Sequence, residues 1–365
     1  MNKLLYVVTN FDLKTKTGTP TRTRTTIDSL GEITKIKVLS TSSYNSNTID
    51  FTKKLDGLGQ SKLRKLPGIY AVTQLFREPI VMAILFIKLV KERPKKIYSI
   101  ALVAGCVVAF YRLLFGCEHI LEIHSLGKFQ KNFLIRICEW IAVKSADKIV
   151  IPSKKMGIYL EKKYGFMKSK IYLIYGPVKS TAEKNGKNHN GFVFGYGGND
   201  AYYQGVDTLL KAAKLCLKKD SELKFVFAGV DKEKYSKIPE KNIEFLGRVD
   251  DKEFLDALES CDVLLCGYRG DFAEYTYPHK ISTYLELGKP ILSTSTGDLK
   301  EIIDDNNCGK TFPQNDYKKL ADLMLEFSQK NKKEIKEMGF NSRKFFEQTL
   351  SISAFKQKLR GLLKE

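Results

Sequence analysis

Short apolar runs recur along this chain with a helix-like stretch between each and the next, and they do so in two series. Leu4–Thr9, Ile36–Ser40, Lys96–Ser99, His119–His124, Asp147–Ile151 and Ile171–Tyr175 make up the first. Phe192–Tyr196, Leu223–Ala228, Ile243–Leu246, Val263–Cys266 and Ile291–Leu292 make up the second. Runs of this kind, rich in Val, Ile, Leu and Phe with little alternation, suit parallel strands covered on both faces. Helical periodicity falls between them, at Ala101–Phe115, Phe133–Ala146, Val206–Lys218 and Asp250–Ser260, with Ser153 placed as an N-cap. Thr41–Gly68 is polar and lysine-rich without a clear period, and Lys179–Asn190 reads as a linker. The expectation is an α/β chain of two doubly wound domains, 1–180 and 190–340. A charged helix from about Lys332, broken near Leu350, ends the chain, and 341–365 is expected to pack back on the first domain.

Charge separates the halves more sharply than any pattern does. The net charge is +20, and residues 1–180 hold 31 Lys/Arg against 12 Asp/Glu, while residues 181–365 hold 30 against 29. Only the first half is therefore suited to a polyanion: nucleic acid, an anionic membrane surface or a diphosphate-bearing lipid. Nucleic acid is disfavoured, since no recognition helix or aromatic-basic sheet motif accompanies the charge. Ile80–Ile87, followed by Lys88, Lys91, Arg93, Lys95 and Lys96, is too short to span a bilayer, which takes roughly 20 residues. It reads either as a core helix with a basic end or as a peripheral membrane contact. The seven cysteines form no CxxC pair, which favours buried, reduced thiols over disulfides or zinc. The opening MNKLLYVVTNF lacks the layout of a signal peptide, so a cytoplasmic location is expected.

One stretch of the second half carries chemistry. Pro278 suits the first turn of a short helix whose apolar edge is Ile281, Tyr284 and Leu285, and Gly288 can end it. The polar, aromatic loop Gly267–Tyr275 precedes it. Strand, loop and helix N-terminus together make an anion site, because free N–H groups and the helix dipole point into the loop. Lys280 and Thr283, three apart, share one edge of that helix. An ordinary βαβ unit with a polar rim is the competing reading.

Several further segments are more specific: Asp147–Ser153, Ile171–Val178, Phe194–Gly198, Gln204–Leu210, Phe225–Gly229, Phe245–Val249 and Gly288–Lys289–Pro290. In this order they resemble the sugar-nucleotide glycosyltransferases of the GT-B fold, most of all the large retaining family that makes bacterial surface glycans. The resemblance implies two Rossmann-like domains facing across a cleft, the nucleotide-sugar donor on the C-terminal one and a glycan or lipid-linked acceptor on the N-terminal one. It also implies transfer with retention and without metal or cofactor. Carried over by position, it puts Gly198, Asn199, Gln204, Arg248, Glu274, Tyr275, Lys280 and Thr283 at the donor. His124, at a strand end, falls where the family has a histidine facing the donor sugar, and so is the catalytic candidate. Gly18, in the first βα loop, matches the family's glycine loop or is an ordinary turn, and Arg22 and Arg24 after it read either as holding acceptor phosphate or as a solvated helix face. Departures come with it: Asn199 and Gln204 stand where Arg and Lys are usual, and Tyr275 and Thr283 where glutamates are. At Asn199 and Gln204 the missing charge costs on the order of 1 kcal/mol or more each of charge-assisted hydrogen bonding. Two functions therefore stand: a retaining glycosyltransferase of surface polysaccharide synthesis, or a catalytically silent partner that stabilises another such enzyme.

Overall fold

The computed structural model describes residues 4–14, 18–41, 48–50, 67–130, 132–165, 170–177, 191–235 and 241–364. The linker expected at Lys179–Asn190 and most of Thr41–Gly68 lie outside them. The chain divides into two compact units, Met1–Ile174 with Phe355–Glu365, and Tyr175–Ala354.

Unit 1 is built on a parallel sheet in the order β3-β2-β1-β4-β5-β6-β7. Its strands are β1 Leu5–Thr9, β2 Ile36–Ser40, β3 Thr48–Asp50, β4 Lys96–Ile100, β5 Glu118–Glu122, β6 Lys148–Ile151 and β7 Ile171–Leu173. β1 sits between β2 and β4, with Val7 opposite Val38 and Tyr98. Successive strand residues face opposite ways, so Leu5 and Val7 join a core with Tyr98 and Ile120 while Tyr6 and Val8 join one with Leu85 and Val107. The helix Ile352–Lys364 places Phe355, Leu359 and Leu362 on one face and buries them in the first of those cores. Its final carbonyls meet two cations: Lys148 Nζ donates to Leu362 O at 2.8 Å and Lys96 Nζ to Leu363 O at 3.0 Å. The helix Lys332–Phe345 gives way to a π-turn at Phe346–Leu350, the break expected near Leu350.

Unit 2 is a second parallel sheet, ordered β10-β9-β8-β11-β12-β13. The strands are β8 Val193–Gly197, β9 Lys224–Ala228, β10 Ile243–Gly247, β11 Val263–Cys266, β12 Ile291–Thr294 and β13 Gly309–Phe312. Counted from β8, this is the 3-2-1-4-5-6 order of a doubly wound nucleotide-binding sheet, whose strand order reverses between β8 and β11. Helix Val206–Lys219 starts beside that point, and its approach depends on two glycines. Gly205 has φ +66°, and a methyl group on it would lie 2.1 Å from Gly267 O. Gly205→Ala is expected to cost on the order of 2–4 kcal/mol, seen as a lower urea midpoint for unit 2. An unchanged midpoint would show that the Gly267 loop gives way freely.

Candidate functional site

In open α/β sheets, ligands bind beyond the carboxyl ends of the strands at the switch point. In unit 2 that position lies at the ends of β8 and β11, and a tyrosine from the Pro278 helix ties them together. Helix His279–Glu286 buries Tyr284, whose hydroxyl accepts from Gly197 N at 2.8 Å and reaches Leu265 O at 3.2 Å. One turn earlier, Lys280 is held against β8. Its Nζ lies 3.9 Å from the centroid of the Tyr196 ring, and a methyl on Gly198 would stand 2.8 Å from it. That ammonium nitrogen is buried and has no hydrogen-bond partner among the described residues. Burial pushes its pKa down to about 8.

Tyr196 is the hub of this site. Its hydroxyl donates to Asn199 O at 2.6 Å and lies 3.4 Å from Gln204 Oε1. Gly198, Asn199 and Gln204, close by in sequence, and Lys280 from a distant helix thus gather around one ring. Gly198 has φ +137°, a conformation that favours glycine. Asn199 is exposed, and its Oδ1 accepts from Ala201 N at 3.1 Å. The turns after β9 and β10 adjoin: Gly229 N donates to Gly247 O at 2.8 Å, and a methyl on Gly229 would lie 2.9 Å from Gly198 O. Arg248 follows Gly247 and is exposed.

The remaining donor candidates are dispersed. Glu274 accepts from Gly297 N at 3.1 Å and Gln314 Nε2 at 3.2 Å, which fastens the loop ahead of the helix. Tyr275 and Thr283 are half-buried. Arg269, the other cation of this loop, is fully engaged: it pairs with Asp207 at 2.8 Å, donates to Tyr202 O and Asn315 Oδ1, and stacks on Tyr202. Lys280 is left as the cation without a counter-charge in this stretch.

Unit 1 holds a second polar cluster. The buried Glu122 carboxylate accepts from Arg22 Nε at 2.8 Å, His124 Nε2 at 2.7 Å and Tyr98 OH at 2.9 Å. Burial alone would raise this carboxyl, but Arg22 and His124 outweigh it and bring it down to about 2. An ionised carboxylate only accepts, so the His124 proton sits on Nε2 and Nδ1 keeps a lone pair. Nδ1 is buried with no partner among the described residues, and the ring stacks on Phe11 at 6.0 Å between centroids. Burial lowers the His124 pKa, which keeps the ring neutral. Arg22 also donates to Ile174 O at 2.9 Å, and Arg24 to Leu13 O at 2.6 Å and Thr21 Oγ1 at 2.9 Å. Gly18 begins the helix Gly18–Ile33 that carries both arginines.

Sequence reasoning missed Tyr196, Tyr98 and Glu122, and read Tyr284 only as part of the helix's apolar edge. Glu122 left a signal, an acid inside the apolar run Ile120–Ile123, since a buried carboxylate requires a partner. The tyrosines left none, because their roles come from pairing across the fold.

Residues 178–345 match the family described as glycosyl transferases group 1. An uncharacterized glycosyltransferase of Methanocaldococcus jannaschii is 27% identical over 252 residues, which span 66% of this chain and 67% of that one. Sucrose-phosphate synthase from Thermosynechococcus elongatus superposes with a TM-score of 0.73 at 13% identity, covering 99% of this chain and 98% of that one. Anabaena HepE, solved in complex with UDP, superposes with a TM-score of 0.71 at 15% identity over 99% of each chain. The fold is GT-B, and the match over residues 178–345 together with the Methanocaldococcus relative supports a glycosyltransferase.

Proposed function

We propose that the protein transfers a sugar from a nucleotide-diphosphate donor to a glycan or lipid-linked acceptor, with retention, in the synthesis of surface polysaccharide. The observation that carries this reading is the Lys280 ammonium, buried beside Gly198 at the switch point without a counter-charge. A pyrophosphate supplies that charge, and the free N–H groups of the Pro278 helix add to its stabilisation. Asn199, Gln204 and Thr283 contribute neutral hydrogen bonds, Glu274 and Tyr275 shape the loop, and Arg248 borders the nucleobase. The complexes of HepE with UDP and with UDP-glucose support the choice of a uridine diphosphate donor. In unit 1, His124 Nδ1 accepts from a sugar hydroxyl, while Arg22 holds Glu122, and Gly18 and Arg24 belong to the acceptor side. The basic charge of residues 1–180 draws the protein to an anionic membrane face.

The silent-partner reading has one observation in its favour: the Asn199 and Gln204 oxygens are already committed within unit 2. Calorimetry with UDP and mass spectrometry of UDP-sugars incubated with the protein separate the two. Transfer predicts binding with slow donor hydrolysis; a partner binds without turnover or does not bind. Proton linkage gives a further expected result. Lys280, with a pKa of about 8, is largely neutral at pH 9, and a bound pyrophosphate restores its charge. UDP binding should therefore take up a proton near pH 8.5 and weaken as pH rises through 8. Identical binding heats in buffers of different ionisation enthalpy would remove Lys280 from the site.

A further inference from the structure

Exposed hydrophobic side chains are unevenly spread over this protein. Of the thirteen large ones exposed among the described residues, nine lie on three helices of unit 1: Pro67–Glu92, Leu102–Phe115 and Phe133–Ser145. The last two are consecutive right-handed crossovers, β4 to β5 and β5 to β6, so they lie side by side on one face of the sheet. They touch at Gly105, where a methyl would come within 3.0 Å of Ala142 Cβ. The first packs in the same layer, since Leu85 and Leu89 share a core with Ala104 and Val108.

Each helix turns an apolar edge outward. Phe110, Leu113 and Leu114 share the outer edge of the second, with Leu113 80% exposed. Phe133, Leu134, Ile137 and Trp140 do so on the third, at 65% for Phe133 and 57% for Trp140. Ile80 and Ile87, two turns apart, continue the edge on the first. An apolar expanse of this kind indicates an interaction site.

Charge identifies the occupant. Lys91, Arg93, Lys95 and Arg136 are exposed around these edges. The one acid on the two crossover helices, Glu139, is fully buried and bound to Lys163 and Tyr164. A second copy would bring another strongly basic surface against this one, whereas an anionic bilayer supplies both apolar depth and negative charge. No helix among the described residues is long and apolar enough to cross a membrane, so the contact lies in the interface plane.

We infer that the outer face of these helices is a lipid-docking surface that seats unit 1 on an anionic bilayer, with Trp140 at headgroup depth. The inference rests on the reading of a lipid-linked acceptor and locates its membrane contact. Trp140 is the sole tryptophan, so its fluorescence reports on this surface directly. The experiment titrates the full chain with vesicles of phosphatidylglycerol and phosphatidylcholine at low salt, and with phosphatidylcholine alone. Expected are a blue shift and quenching by brominated lipid with the anionic vesicles, and at least tenfold weaker binding with the neutral ones. Leu113→Ser/Phe133→Ser should lose at least tenfold in flotation while keeping its circular dichroism and its UDP binding. No shift with anionic vesicles, equal flotation of the variant, or a lipid-free, concentration-dependent dimer that buries Trp140 would each overturn the assignment. Failure of UDP binding with vesicle binding intact would count against the transferase reading alone.

Discussion

Lys280→Met is expected to make the free protein more stable and, at the same time, nearly unable to hold a nucleotide diphosphate. The buried ammonium, brought down to about 8 from 10.5, costs unit 2 stability at neutral pH, because the unfolded chain carries that proton without penalty. A depression of this size corresponds to about 3 kcal/mol. Loss of the contact with the Tyr196 ring returns about 1–2 kcal/mol of it, so the net gain is about 1–2 kcal/mol, or a rise of several degrees in Tm. The cost is fully present below pH 8 and fades between 8 and 10.5, so the two proteins should converge in alkaline solution. UDP affinity should fall at least thirtyfold, about 2 kcal/mol, the lower range for a charge-assisted contact. Scanning calorimetry and UDP titration read the two effects separately. A destabilised variant with unchanged affinity would make Lys280 a packing residue and leave the anion site without its cation.

In unit 1, Glu122→Ala should be the more damaging change, costing about 3–5 kcal/mol by stranding the Arg22 guanidinium without its counter-charge. Arg22→Met/Glu122→Leu should recover most of that loss, because two apolar side chains remove both charges together. The acid limb follows from the same contacts. With its carboxyl brought from 4.5 down to about 2, Glu122 contributes stability that is complete above pH 4.5 and lost as pH falls toward 2. His124, whose pKa is lowered, adds a loss in the same direction below about pH 6.5, where the unfolded chain takes up a proton that the folded chain refuses. Urea denaturation of the single and double variants across pH 3–7 tests both. A double variant no more stable than Glu122→Ala would place the cost in lost hydrogen bonds to Tyr98 and His124 instead of the stranded charge.

The architecture was legible wherever a strand is covered on both faces. β8 and β11 announce themselves as Phe192–Tyr196 and Val263–Cys266, and the Pro278 helix places Lys280 near its start. β13 escaped detection because Gly309–Lys310–Thr311–Phe312 lies at the sheet edge, where an apolar run is not required. The site was harder to read. Arg22 follows a loop glycine and looks like a free cation, until Glu122, a hundred residues on, brings the two together beneath His124. Periodicity reports which face of a strand or helix is covered, but not which distant side chain covers it.

The closing helix has a consequence for how the molecule is made. Phe355, Leu359 and Leu362 fill a core whose other walls come from the first 174 residues, and Lys96 and Lys148 hold the last turn in place. The middle of the polypeptide, 175–354, is contiguous and leaves the ribosome whole. Unit 1 has to wait, its sheet short of three anchoring side chains until residues 355–362 have been made.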